Sequence, residues 1–121
     1  MSKYVDGFVI PIKKKNIALY KRMARDGARV WKKYGALDYK ECIGDDLSPK
    51  MMPSPAFKRM TRLKPDETVV FSYILYKSKK HRDQVNAKVM KDPFMKKYEG
   101  KPMPFDMKRM AFAGFEVMVS I

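Results

Sequence analysis

The sequence predicts an α+β fold: a ferredoxin-like βαββαβ chain with a four-stranded antiparallel sheet, pairing into a dimeric α+β barrel. Three observations lead there. Short runs of aromatic and β-branched residues recur at Tyr4–Ile12, Leu37–Ile43, Thr68–Tyr76 and Arg109–Val119. Two segments between them carry helix signals, from Ile17 to Tyr34 and from Ser78 to about Lys91. The strands are apolar on both sides, which leaves one sheet face for something other than the two helices to cover.

Each element has its own warrant. YVDGFVIPI is rich in strand formers. After the polar run Lys13 to Asn16, apolar positions at Ile17, Tyr20, Ala24, Ala28, Trp31 and Tyr34 follow the helical period. Gly27 lies on that face and lets a neighbouring backbone approach, and Gly35 is a left-handed stop. LDYKECI is a shorter strand closed by Gly44, Asp45 and Asp46, and TVVFSYILY is the clearest strand of all. Ser78 can cap the second helix, which Asp92-Pro93 ends because a residue before proline leaves the α region. PFMKKY reads as a turn and KPMPFD as a Pro-rich crossing into the last strand. Right-handed crossovers then put both helices on one face and give the strand order four, one, three, two.

Residues 47–64, with Pro49, Pro53, Pro55 and three methionines, have no sustained period and are long for a hairpin loop, so they read as a long loop or flap. In the third strand Val69, Phe71, Tyr73 and Leu75 oppose Val70, Ile74 and Tyr76. Burying apolar area stabilises by about 25 cal/mol per Å². A homodimer with sheets packed face to face is the expected cover, and the competing one is the 47–64 segment folding back over the sheet.

At 121 residues the chain fits one domain, 1–121, with 45% apolar and 33% charged residues. No stretch approaches the length of a transmembrane segment, and Asp6 and Pro11 interrupt the apolar start of any signal peptide. A reducing, cytoplasmic setting is the expectation. One cysteine and one histidine cannot supply the usual zinc ligand sets, so neither a metal nor a cofactor is expected. The net charge of +14 favours solubility and attracts polyanions without selecting among them.

The strings YVDGFVIPIKKKN, VWKKYGALDY, TVVFSYILYKSKKHRD, VNAKVMKDP and MPFDMKRMAFAGFEV resemble the YbaA-like family of uncharacterised bacterial proteins (DUF1428), across nearly the whole chain. That family is similar to members of the dimeric α+β barrel superfamily. The resemblance implies a ferredoxin-like monomer and a dimer. Superfamily relatives include cofactor-free monooxygenases, haem-handling proteins and small catabolic enzymes, but a fold does not transmit a function. The resemblance carries over no catalytic residues.

Candidate pocket residues come from chemistry. Asp6 and Glu116 sit in adjacent apolar strands; sharing a dry site would raise one pKa, whereas separate basic partners would leave both structural. Tyr39, Glu41 and Tyr73 can orient a phenolic or quinone-like ligand, or serve as ordinary core tyrosines with a carboxylate. His81 opens the second helix, where imidazolium is disfavoured, and Asn86 lies five residues on; both can bind a ligand or hold structure. Cys42 reads as a buried, inert thiol. Lys21, Arg25, Arg29 and Lys33 form a basic stripe at spacing four, with Lys79, Lys80 and Lys88 nearby. Like charges at that spacing cost roughly 0.2–0.5 kcal/mol per pair, which bound phosphates would offset. No Walker loop, KH loop or RRM signature is present. The sequence thus points to a dimeric small-ligand-binding protein or cofactor-free enzyme taking an apolar or aromatic molecule. The alternatives are a non-specific nucleic-acid or polyanion binder, and an interaction module without catalysis.

Overall fold

The computed structural model describes residues 2–51 and 55–121. Strand β1 (Tyr4–Lys13) leads through a 3-10 turn into helix α1 (Ile17–Lys33), followed by β2 (Asp38–Ile43). A short helix α2 (Ala56–Thr61) precedes β3 (Glu67–Tyr76) and helix α3 (Lys79–Met90). PFMKKY is a helix of its own, α4 (Pro93–Tyr98), and β4 (Ala111–Glu116) closes the order. The strands lie β2-β3-β1-β4, all antiparallel, which is the order the sequence predicts.

The expected barrel is not formed, and this corrects the fold reading. The sheet is open: β2 and β4 are its edges, two strands apart, and neither pairs with the other. Each edge stays one-sided, because β2 pairs only with β3 and β4 only with β1. The two-faced apolar pattern, which suggested closure, instead produces one buried face and one partly exposed face.

Strand parity decides which residues meet the helices. Tyr4, Phe8, Ile10 and Ile12 of β1 share a face with Val70, Ile74 and Tyr76 of β3. Tyr4, Phe8, Ile74 and Tyr76 pack with Val85 and Val89 of α3 and Trp31 of α1, while Ile10, Ile12 and Val70 pack with Ile17 and Tyr20 of α1 and with Phe105 and Met110. Helix α1 ends where Gly35 takes φ +107. There Ala36 N–H reaches Trp31 O at 3.0 Å and Gly35 N–H reaches Lys32 O at 3.1 Å, a Schellman cap that requires glycine's left-handed freedom. Ser78 Oγ caps α3 by accepting from His81 N at 3.1 Å. Asp92 does more than end α3: its Oδ1 accepts from Phe94 N at 2.9 Å to start α4, and its Oδ2 accepts from the Tyr34 hydroxyl at 2.6 Å.

The opposite face carries Val5, Val9, Phe71, Leu75 and Phe115, with Phe71 46% and Phe115 57% exposed. The described part of the 47–64 segment leaves them uncovered; it lies at the end of the sheet, where Leu47, Lys58 and Leu63 border a polar cleft beside Thr68. Residues 52–54 of that segment are outside the described residues. No helix among the described residues is long and apolar enough to cross a membrane.

The chain after α4 is pinned at both ends. Asn16 Nδ2 donates to Pro104 O at 2.9 Å. Arg109 donates to both oxygens of buried Glu67, at 2.6 and 2.9 Å, and to Thr61 O at 2.9 Å. The Arg109 guanidinium holds the Glu67 carboxyl down at about 2. A depressed carboxylate pKa stabilises the fold above the unfolded-state value and loses that contribution as pH falls through the folded-state value. Arg109→Met should therefore destabilise the protein by about 3 kcal/mol at pH 7 in urea unfolding. Glu67→Gln should cost most at pH 7 and progressively less from about pH 4.5 toward pH 2; a penalty that stays constant with pH would contradict the ion-pair role.

Candidate functional site

The tight interior of most small domains is interrupted here. A cavity of about 750 Å³ lies between α1 and the buried face of the sheet, walled further by α4 and by residues 99–110. Such a volume is in the range of small-molecule sites. It exists because α1 turns small residues, Ala24 and Gly27, toward it. A Cβ on Gly27 would stand 3.2 Å from the Tyr39 hydroxyl, so glycine leaves that phenol its place. Six of the eleven methionines line the space (Met23, Met90, Met95, Met103, Met107 and Met110), together with Phe8, Phe94 and Phe105. Methionine's flexible thioether suits a wall that must adapt to its contents.

Lys91, Asp92, Lys96 and Glu99 also line this largely apolar space, and between α1 and β2 it holds a hydrogen-bonded cluster around Glu41. Tyr20 Oη donates to Glu41 Oε1 at 2.6 Å, and Tyr39 Oη donates to Glu41 Oε2 at 2.7 Å. Each oxygen of the half-buried Glu41 carboxylate thus has a phenol donor. Burial, then the adjacent Glu41 carboxylate, pushes both phenols well above the ordinary tyrosine value. Both therefore stay protonated and serve as donors to Glu41, while their oxygen lone pairs remain able to accept. Ser72 faces Glu41 across the β2–β3 pair, and Trp31 lies 6.1 Å from the Tyr39 ring.

Tyr39 and Glu41 are thus together, but Tyr73 is not with them, a correction to the expected cluster. Tyr73 pairs in register with Lys40, so its side chain leaves from the opposite face, where its hydroxyl donates to Asp38 Oδ2 at 3.0 Å. Tyr20 takes the place assigned to Tyr73. As a member of the α1 apolar stripe it was visible in the sequence, but nothing in that stripe announces its partner.

Asp6 and Glu116 share the helix-facing side, because Tyr4 pairs with Glu116 and Asp6 with Gly114. They do not meet as a carboxylate pair, and the alternative of a separate basic partner describes Asp6. Asp6, 1% exposed, accepts from Arg82 Nη1 at 3.0 Å, while Glu116 is exposed at the end of an edge strand. Burial pushes the Asp6 carboxyl up, and Arg82 pulls it back down. Asn86 joins this structural region: its Oδ1 accepts from Trp31 Nε1 at 3.1 Å and from the Tyr76 hydroxyl at 3.2 Å. His81 Nδ1 accepts from Lys77 N at 3.0 Å, which leaves Nε2 as the protonated nitrogen, and burial with Lys77 and Lys88 lowers its pKa. Its ring stacks edge-on to Tyr76, 6.0 Å away. Cys42, expected buried, is exposed on the outer side of β2.

The basic stripe splits in two. Arg29 lies 3.8 Å from Asp26, and Lys33 lies 3.2 Å from Asp92. Lys21 and Arg25 form no ion pair among the described residues. Lys79, Lys80 and Lys88 are exposed on α3.

Residues 3–107 match the family described as "Protein of unknown function (DUF1428)". The chain is 41% identical over 117 residues to "Uncharacterized protein YbaA" of Escherichia coli K12, with 97% of each chain covered. The YbaA of Shigella flexneri matches to the same extent. A crystal structure of a dimeric ferredoxin-like protein from an uncultured marine organism superposes over all of both chains with TM-score 0.63 at 11% identity, a likeness of fold.

The phenol–carboxylate bridge makes a direct prediction. Alkaline titration followed by tyrosinate absorbance should show the same amplitude up to pH 11.5 in the native protein and in Tyr20→Phe/Tyr39→Phe. A loss of amplitude in the double variant would mean that these phenols ionise normally and are not buried against Glu41.

Proposed function

We propose, from the premise that this chain belongs to the DUF1428 family, that it binds a small aromatic molecule in the cavity beneath α1 and holds that molecule's polar end at Glu41. The observation that carries this reading is a carboxylate with a phenol on each oxygen, set among methionine, aromatic and aliphatic side chains, with Lys91, Asp92, Lys96 and Glu99 on other parts of the lining. An apolar body would displace water from the methionine wall, and an O–H or N–H on it would find the remaining lone pairs of Glu41, Tyr20 and Tyr39 as acceptors. The same carboxylate is placed to take a proton from an enolic or phenolic ligand, which is how a cofactor-free enzyme on this frame would begin.

Self-association belongs to the same reading. The exposed apolar side of the sheet, around Phe71 and Phe115, supports a homodimer, and the marine ferredoxin-like protein is described as dimeric. Light scattering at micromolar protein should give twice the 14.2 kDa chain mass; the mass of a single chain would contradict it.

Trp31, the one tryptophan, lines the cavity and reports its contents. Titration with 2-naphthol should quench its emission saturably, and naphthalene, which has no donor, should bind about tenfold more weakly. Glu41→Gln should weaken 2-naphthol about tenfold and leave naphthalene unchanged. Equal binding of both probes to the native protein, or no saturable quenching, would contradict the proposal.

A further inference from the structure

The Tyr20–Glu41–Tyr39 bridge has a second side. A groove of about 560 Å³ runs between α1 and the β2 edge, and Tyr20, Ala24, Tyr39 and Glu41 line both it and the main cavity. The bridge is therefore a partition between two spaces. Beyond it the groove floor is apolar, with Ile17, Ala28, Ile43 and Val70, and Ile43 is 55% exposed. Its rim carries Lys21 and Arg25, which follow Tyr20 and Ala24 in the chain. These two are the half of the α1 stripe that no carboxylate neutralises among the described residues, whereas Arg29 and Lys33, farther along, have Asp26 and Asp92. Both cations are exposed, and like charges one turn apart repel, so an anion held between them would relieve that repulsion.

We propose that this groove is the anion subsite of the ligand, which is then an aromatic molecule bearing a carboxylate on an extended arm. The inference rests on the cavity reading and adds its charge. The aromatic body occupies the methionine-lined space, the arm passes the partition at Tyr20 and Tyr39, and the carboxylate ends between Lys21 and Arg25. Guanidinium and ammonium together suit a carboxylate, the former by its fork of donors and the latter as a point charge.

A matched pair of probes tests this: 6-phenylhexanoate and 6-phenylhexan-1-ol, titrated by calorimetry and by Trp31 quenching at low ionic strength. The acid should bind at least tenfold more tightly than the alcohol. Lys21→Gln/Arg25→Gln should abolish that preference while leaving the alcohol's affinity unchanged. Arg29→Gln/Lys32→Gln removes the same charge from the same helix outside the groove and should retain the preference. If both double variants lose it equally, net charge alone explains the effect and the subsite is wrong. If acid and alcohol bind equally while quenching Trp31, the subsite falls and the cavity reading stands. If neither probe quenches Trp31, both fall.

Discussion

A carboxylate set among apolar side chains needs donors on its oxygens, and Glu41 receives one from each of two elements. Tyr20 comes from α1 and Tyr39 from β2 itself, so the Tyr20 bond also ties the helix to the edge strand while the Tyr39 bond fixes the carboxylate along it. The gap above the sheet follows from this arrangement. Helix α1 presents Ala24 and Gly27 at the contact, and the strand side chains rise into the space they leave. A bulkier helix face would fill the space with core and expel the carboxylate.

The rest of the fold keeps that gap from collapsing. On one side, Trp31 is fixed by donating to Tyr76 Oη and Asn86 Oδ1, both at 3.1 Å, so the widest α1 side chain is held at the cavity wall by its indole N–H. Arg82 neutralises Asp6 beneath the same region and lies 4.9 Å from the Tyr4 ring centre. On the other side, MPFDMKRM forms a wall whose Met103, Phe105, Met107 and Met110 line the cavity while Arg109, in the same run, anchors to Glu67. This run, one of those that resemble the family, thus closes one side of the cavity without filling it.

Much of this was legible in the chain. Alternation in β1 and β3 put Phe8, Ile10, Val70 and Ile74 on one face, and the α1 period identified the stripe that meets them. What the pattern could not supply was register between strands. Tyr39 and Glu41 are two apart and must share a face, but whether Tyr73 joins them depends on its standing opposite Lys40 rather than one residue away. Partners from distant elements were equally hidden: Asp6 finds Arg82, 76 residues on, and Tyr20 finds Glu41 across the α1–β2 turn. The barrel was an over-reading of apolarity on both strand faces. An outer face carrying Phe71 and Phe115 beside polar Asp38 and Lys40 does not require the sheet to close.

The central claim is that a ligand's polar end meets Glu41 between Tyr20 and Tyr39. Nuclear magnetic resonance with ¹³C-labelled glutamate carboxyls and labelled aromatic rings would locate a bound aromatic donor such as 2-naphthol directly. The account predicts saturable shifts centred on the Glu41 carboxyl, the Tyr20 and Tyr39 rings and the Trp31 indole, with Phe71 and Phe115 unmoved. Saturable shifts confined to Phe71, Phe115 and their neighbours on the exposed sheet face, with Glu41 silent, would contradict it.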